Sequence, residues 1–252
     1  MNIKELFQLS RDVLLFRHTA YARHVAREDT LKRGLALLTL VTLLAGVLPF
    51  VVDVVGDLRT AGMSVEARQA EAEQGLQGFL DAWRTMSQFS DIPPEVEKEI
   101  LANVRTWTRV GFRIEALPTR LPKAVGSLLE NLGALLSRPF GRVAGWIGYT
   151  IWVLLIAKIL GGRATVSQML GTTALYAVPH ILDVLSVVPC VGGVAGLVAA
   201  LWGVAIYVKA VSVANHFSLG RAAVATLLPT ILGAAAALVG LLLVITLAAV
   251  GG

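Results

Sequence analysis

From Gly34 to Val52 the chain runs nineteen residues without an ionisable side chain, and four further long apolar stretches follow. A helix needs about 20 mostly apolar residues to cross roughly 30 Å of hydrocarbon, where no water is present to satisfy an open backbone group. Five segments meet that requirement: 34–55, with Pro49 and Asp53 near its far end; 143–160, with Lys158 at its end; 169–188; 191–215; and 222–250, long enough to tilt or to kink at Pro229. The expected fold class is therefore all-α, a polytopic membrane helical bundle of five transmembrane helices with a helical extramembrane insertion between the first and second spans.

Composition agrees with a lipid solvent. The 252 residues are 56% hydrophobic and 15% charged, with a mean hydropathy of +0.71, too little polar surface to cover a water-soluble globule. After Glu130 the only acidic side chain is Asp183. The net charge of +5 comes from Lys and Arg scattered in ones and twos beside apolar runs, a topogenic pattern rather than a nucleic-acid face. A single cysteine, Cys190, allows neither an internal disulfide nor a thiolate metal cluster.

Residues 1–33 form a long charged lead rather than a short basic stub before an apolar core, so the first span is expected to stay as an anchor. Within it Ile3, Leu6, Phe7, Val13, Leu14 and Phe16 alternate with Lys4, Arg11, Arg17 and Arg23 at spacings that suit an amphipathic helix. Two placements fit: on an anionic inner leaflet, with those four basic residues at the lipid, or packed against the ends of the spans. Residues 56–142 carry eleven basic and eleven acidic side chains and read as helical. One helix is expected over Ser64–Phe89, and a second after Pro93–Pro94 with Val96, Ile100, Val104 and Trp107 at helical spacing. A third, from Pro122 to Ser137, is expected on the membrane surface before the chain turns inward at Pro139.

Orientation follows from basic flanks. Arg23, Arg27, Lys32 and Arg33 precede the first span, Lys158 and Arg163 separate the second and third, and Lys209 and Arg221 flank the link between the fourth and fifth. All fall on one side, which places the N-terminus in the cytoplasm and the C-terminus outside. Arg138 and Arg142 oppose this mildly, at the end of a connection too long for the rule to bind. Trp146, Tyr149 and Trp152 cluster in one half of the second span, as rings near an interface do.

Ionisable groups within a span cost about 2.5–3.5 kcal/mol each on insertion scales, so His180 and Asp183, three residues apart in the third span, need a reason. A functional one is a proton relay, ion site or substrate contact, with Asp53 of the first span as a further candidate. A structural one is an interhelical hydrogen-bonded pair, a common form of adhesion between membrane helices. Lys209 lies too far from Asp183 in depth to pair with it and is expected to snorkel. His216 suits a helix cap, and Cys190, with no basic neighbour, suits a small filler. No phosphate loop, zinc motif, nucleophile elbow or dinucleotide fingerprint occurs, so neither an enzyme nor a cofactor is expected. Small residues four apart at Gly192, Gly196 and Ala200, at Ala199 and Gly203, and at Ala236 and Gly240 permit close helix packing or self-association.

The stretch from Ala177 to Pro229 resembles the Yip (Ypt-interacting protein) family of membrane proteins. The likeness rests on Pro179, the turn Val188-Pro189-Cys190-Val191-Gly192-Gly193, a span containing Trp202, and the run from Val211-Ser212-Val213-Ala214-Asn215-His216 through Ser218, Arg221 and Ala222 to Leu228–Pro229. It implies five spans with a cytoplasmic N-terminus. Eukaryotic members are associated with early secretory membranes and prenylated Rab-type GTPases. This chain lacks their D-L-Y-G-P type motif and carries a long insertion, so it resembles a prokaryotic, plasma-membrane branch, and a Rab-type partner is not carried over. Two functions are expected from this reading: a non-enzymatic scaffold that organises membrane lipid or protein partners, or a small transporter or channel with a polar path through His180 and Asp183.

Overall fold

A computed structural model describes residues 3–60, 123–189 and 191–251, with isolated positions between 61 and 122. The described elements are helices: α1 (Ile3–Leu14), α2 (His18–Val25), α3 (Thr30–Thr60), α4 (Lys123–Ile159), α5 (Val166–Thr173), a 3₁₀ helix (Ala174–Val187), α6 (Val191–Asn215) and α7 (Leu219–Gly251). Five spans among them, the third formed by α5 and the 3₁₀ helix together, are long and apolar enough to cross a membrane. The chain forms two compact units, Met1–Val52 with Leu132–Gly252, and Asp53–Asn131. The helices expected over Ser64–Phe89 and after Pro93–Pro94, isolated positions apart, lie outside the described residues, as does Cys190. In the second unit the Asp57 carboxylate accepts hydrogen bonds from the Ser127 hydroxyl and, at 2.7 Å, from the Asn131 amide.

One boundary differs from the sequence reading. The surface helix expected to end before Pro139 is instead the first part of α4, which continues through Pro139 to Ile159. Proline removes one backbone donor and crowds the carbonyl four residues earlier, but a bend relieves both, so a long apolar helix absorbs it. Pro49 and Pro229 sit inside α3 and α7 in the same way.

The third span changes pitch partway along. Its start is fixed by a capping box, in which the Thr165 hydroxyl accepts from the Gln168 N–H while the Gln168 side chain accepts from the Thr165 N–H. After eight α-helical residues the backbone tightens into fourteen residues of 3₁₀ helix, where runs beyond three or four are uncommon. At about 2.0 Å rise per residue this stretch spans about 28 Å. Side chains three apart eclipse in such a helix, so Ala174, Ala177, His180, Asp183 and Ser186 line one face.

Three helix ends share one hydrogen-bond pattern, with the last-but-one reversal residue in the left-handed region. Gly161 (φ +88°) closes α4, His216 (φ +56°) closes α6, and Phe16 (φ +53°) closes α1. At each, one N–H reaches back five residues and the preceding one three, as in Arg17 to Asp12 and Phe16 to Val13. Glycine takes this conformation freely; for Phe16 it costs about 1–2 kcal/mol. The ring is held by stacking on Trp202 at 5.9 Å, and the Trp202 indole N–H donates to the Leu14 carbonyl at 3.2 Å. Trp202 lies near the middle of α6, so the turn between α1 and α2 is tied well along a spanning helix. The amphipathic lead is packed on the spanning helices through these contacts. Tyr21, fully buried, donates to the Val13 carbonyl, and His24 Nε2 bonds the Gly171 carbonyl at 3.1 Å.

Gly171 also marks the tightest helix crossing. A Cβ there would lie 2.5 Å from the Thr30 carbonyl carbon, and one on Gly34 would lie 2.5 Å from the Gly171 oxygen. Small buried side chains continue the theme at Ala157, Ala174, Ala199, Ala210, Ala222 and Ala225. Lipid is as apolar as the protein, so close packing holds these helices where a hydrophobic drive is missing. Gly171→Val is expected to force α3 from α5 and lower stability by about 1–3 kcal/mol, read as a fall in melting temperature in detergent micelles; an unchanged value would refute the crossing.

Burial holds the His24 imidazole below its ordinary pKa of 6.5, against the upward pull of its bond to Gly171. The unfolded chain then takes up the proton first, so stability is complete above about pH 6.5 and falls as pH drops toward the lowered value. Melting temperature is expected to drop between pH 7.5 and 5.5, and His24→Gln, which keeps a donor for Gly171, is expected to shrink that drop.

Candidate intramembrane polar site

The 3₁₀ pitch brings His180 and Asp183 into register, and the imidazole Nδ1 lies 3.1 Å from Asp183 Oδ2. A carboxylate only accepts, so Nδ1 carries the proton and donates it. The same oxygen accepts from Arg142 Nη2 of α4 at 2.9 Å. One carboxylate oxygen thus joins two cations or donors from two spans. The three side chains are partly shielded, Arg142 at 33% exposed, Asp183 at 29% and His180 at 14%, which excludes both free solvation and complete burial.

Two cavities flank this array. One of about 440 Å³ is lined by Thr42, Gly46 and Pro49 of α3, Arg138 and Arg142 of α4, and Asp183 and Ser186 of the 3₁₀ helix. The other, about 410 Å³, lies among α4, the 3₁₀ helix, α6 and α7, and His180 lines it with Trp146, Tyr149, Tyr176 and Tyr207. Tyr176 meets the His180 ring edge-on at 5.7 Å. Gly203 supplies room: a Cβ there would stand 3.3 Å from His180 Nε2 and from the Tyr176 carbonyl. His180 therefore separates a charged cavity, reached through Asp183, from an aromatic one that it lines itself.

Hydroxyl groups extend the polar chain beyond the second cavity. The Tyr207 hydroxyl donates to Thr150 Oγ1 at 2.8 Å, Thr150 and Thr173 hydroxyls are 3.3 Å apart, and the Trp146 indole donates to Thr173 at 3.1 Å. The Tyr149 hydroxyl bonds the Thr226 carbonyl and lies 2.9 Å from Thr230 Oγ1. Trp146 and Tyr149, expected as interfacial rings, thus point into the bundle. Trp152 alone of the three is largely exposed, at 63%, about 120° around the helix from the buried Trp146.

The remaining candidates disperse. Asp53 is exposed and falls in the second compact unit. Gly192 closes against Ser186, where a Cβ would meet its Cα at 2.8 Å, and Gly203 serves His180. Gly196 and Gly240 have open space where a Cβ would stand, while Ala200 and Ala236 are exposed; the packed small positions of α6 are Ala195, Ala199, Gly203, Ala210 and Ala214. Arg11, Arg17 and Arg23 converge on Asp12 at 3.4, 3.0 and 4.0 Å, and Lys4 is exposed on the first turn of α1. No family model, curated protein or solved structure matches the chain.

Sequence reasoning missed Arg142 as the partner of Asp183. The signal was present, since the one acidic residue after Glu130 needs a cation at its own depth and α4 supplies one. Removing one member of a shielded pair strands the other charge. Asp183→Leu is expected to cost about 3 kcal/mol, and Arg142→Met/Asp183→Leu distinctly less than that single change, measured by unfolding in mixed micelles. Equal losses would show that the two residues do not act as a pair.

Proposed function

We propose that this multi-pass membrane protein is a small, non-enzymatic transporter or channel whose polar path runs through Asp183 and His180, with a proton as the species passed between them. The observation that carries the reading is the placement of His180, whose Nδ1 faces Asp183 beside one cavity while the ring lines a second. Imidazole has two nitrogens, so it can accept a proton on one side and release another on the opposite side. The Tyr207, Thr150 and Thr173 hydroxyls offer exchangeable groups beyond it.

Lys and Arg near the spans support an orientation with the N-terminus in the cytoplasm of a prokaryotic plasma membrane and the C-terminus outside. The resemblance to the Yip family is compatible with this topology and supplies no partner. A membrane-organising scaffold is the second reading, favoured by the α1 and α2 hairpin, which exposes Phe7 (71%) and Leu15 (58%) beside Arg11 and Arg17. That combination suits an anionic membrane surface.

Liposomes loaded with a pH-sensitive dye and energised by a potassium diffusion potential separate the two. Proton uptake is expected with the intact chain and is expected to be lost in His180→Ala and Asp183→Asn, both checked for assembly. Absence of uptake in the intact protein, with reproducible capture of one partner, would replace the path by the scaffold.

A further inference from the structure

Arg142 is committed to Asp183, but Arg138, four residues earlier on the same face of α4, has no carboxylate within ion-pair distance among the described residues. Its guanidinium is nonetheless placed. A Cβ on Gly46 would lie 3.2 Å from Arg138 Nη1 and 2.8 Å from Leu135 Cδ1, so the missing side chain on α3 gives Arg138 its berth. Arg138 and Arg142 share the 440 Å³ cavity with Asp183, the only acidic residue lining it among the described residues. The cavity therefore carries one net positive charge.

Depth identifies what neutralises it. Twenty residues of α4 separate Arg138 from Lys158, about 30 Å of helix and equal to the hydrocarbon thickness. With Lys158 at the headgroups of one leaflet, Arg138 reaches those of the other. On the same stretches of α3 and α4 that supply lining residues, Val47, Val51, Leu136 and Phe140 are exposed, apolar side chains suited to acyl chains. We infer that this cavity binds the phosphate of an anionic phospholipid, with the Arg138 guanidinium as its principal donor. A planar guanidinium grips phosphate oxygens in pairs, which an ammonium does not. The Ser186 hydroxyl lines the same cavity. The site shares its cavity with Asp183 and so lies beside the proposed path, while Arg138 itself bonds neither Asp183 nor His180 among the described residues.

The full chain, in nanodiscs of equal phosphatidylglycerol and phosphatidylcholine, is analysed by native mass spectrometry for lipid kept after delipidation. Retention of phosphatidylglycerol over phosphatidylcholine is expected to be roughly tenfold, falling toward parity in Arg138→Ala and only partly in Arg138→Lys. Gly46→Val is expected to lose the preference by displacing the guanidinium. Circular dichroism and gel filtration confirm that each variant is assembled, and His180→Ala, at a residue that does not line this cavity, is expected to keep the lipid preference, so that failure of the proton path and failure of the lipid site are read separately. No lipid preference in the intact chain, or full preference in folded Arg138→Ala, would overturn the proposal. Binding of inorganic phosphate without lipid preference would overturn the lipid as source while leaving the guanidinium site.

Discussion

One carboxylate oxygen organises the embedded half of this protein. Asp183 Oδ2 receives both Arg142 from α4 and His180 from its own helix, and in a low-dielectric interior such bonds are strong because the alternative is an unsolvated charge. Each of the three residues would be costly alone in a span. Together they fix the rotation of the 3₁₀ helix against α4 and leave the second His180 nitrogen turned to the aromatic cavity.

Around that array the bundle is assembled by proximity of backbones. Gly34 and Gly171 let α3 and α5 touch, Gly203 lets α6 approach the His180 ring, and buried alanines fill the rest of the seam. Polar threads reinforce these contacts. Asn215 accepts from the Ala164 N–H at 3.2 Å and donates to the Val211 carbonyl at 3.0 Å, tying the end of α6 to the loop before α5. Nothing in this scheme needs water to drive it, which is why the apolar outer faces of the helices stay exposed for lipid.

Much of the fold was legible because a membrane leaves few choices: uncharged runs of spanning length predict helices, and five are present among the described residues. What sequence did not show depends on pitch and facing. Pro139 suggested a break, yet a helix with no competing solvent tolerates a bend. The 3₁₀ stretch has no compositional mark that separates it from an α-helix. His180 and Asp183 were readable as neighbours under either pitch, but Arg142 lies forty-one residues away, and pairing across such a distance needs the relative rotation of two helices. The small residues divide for the same reason, since spacing four apart marks a stripe without saying which way it faces; Gly203 turned inward and Gly240 did not.

The 3₁₀ geometry ties electrostatics to helix pitch. A 3₁₀ helix turns about 120° per residue and an α-helix about 100°, so the nine steps from Ala174 to Asp183 would accumulate about 180° of difference between the two. In α form the whole fourteen-residue stretch would also be about 7 Å shorter. The carboxylate would then face away from α4, and the charged cavity would lose its only anion. Backbone hydrogen-bond register and the address of Asp183 are thus a single variable, and the fourteen-residue stretch works as a screw thread whose pitch decides which side of the bundle is charged.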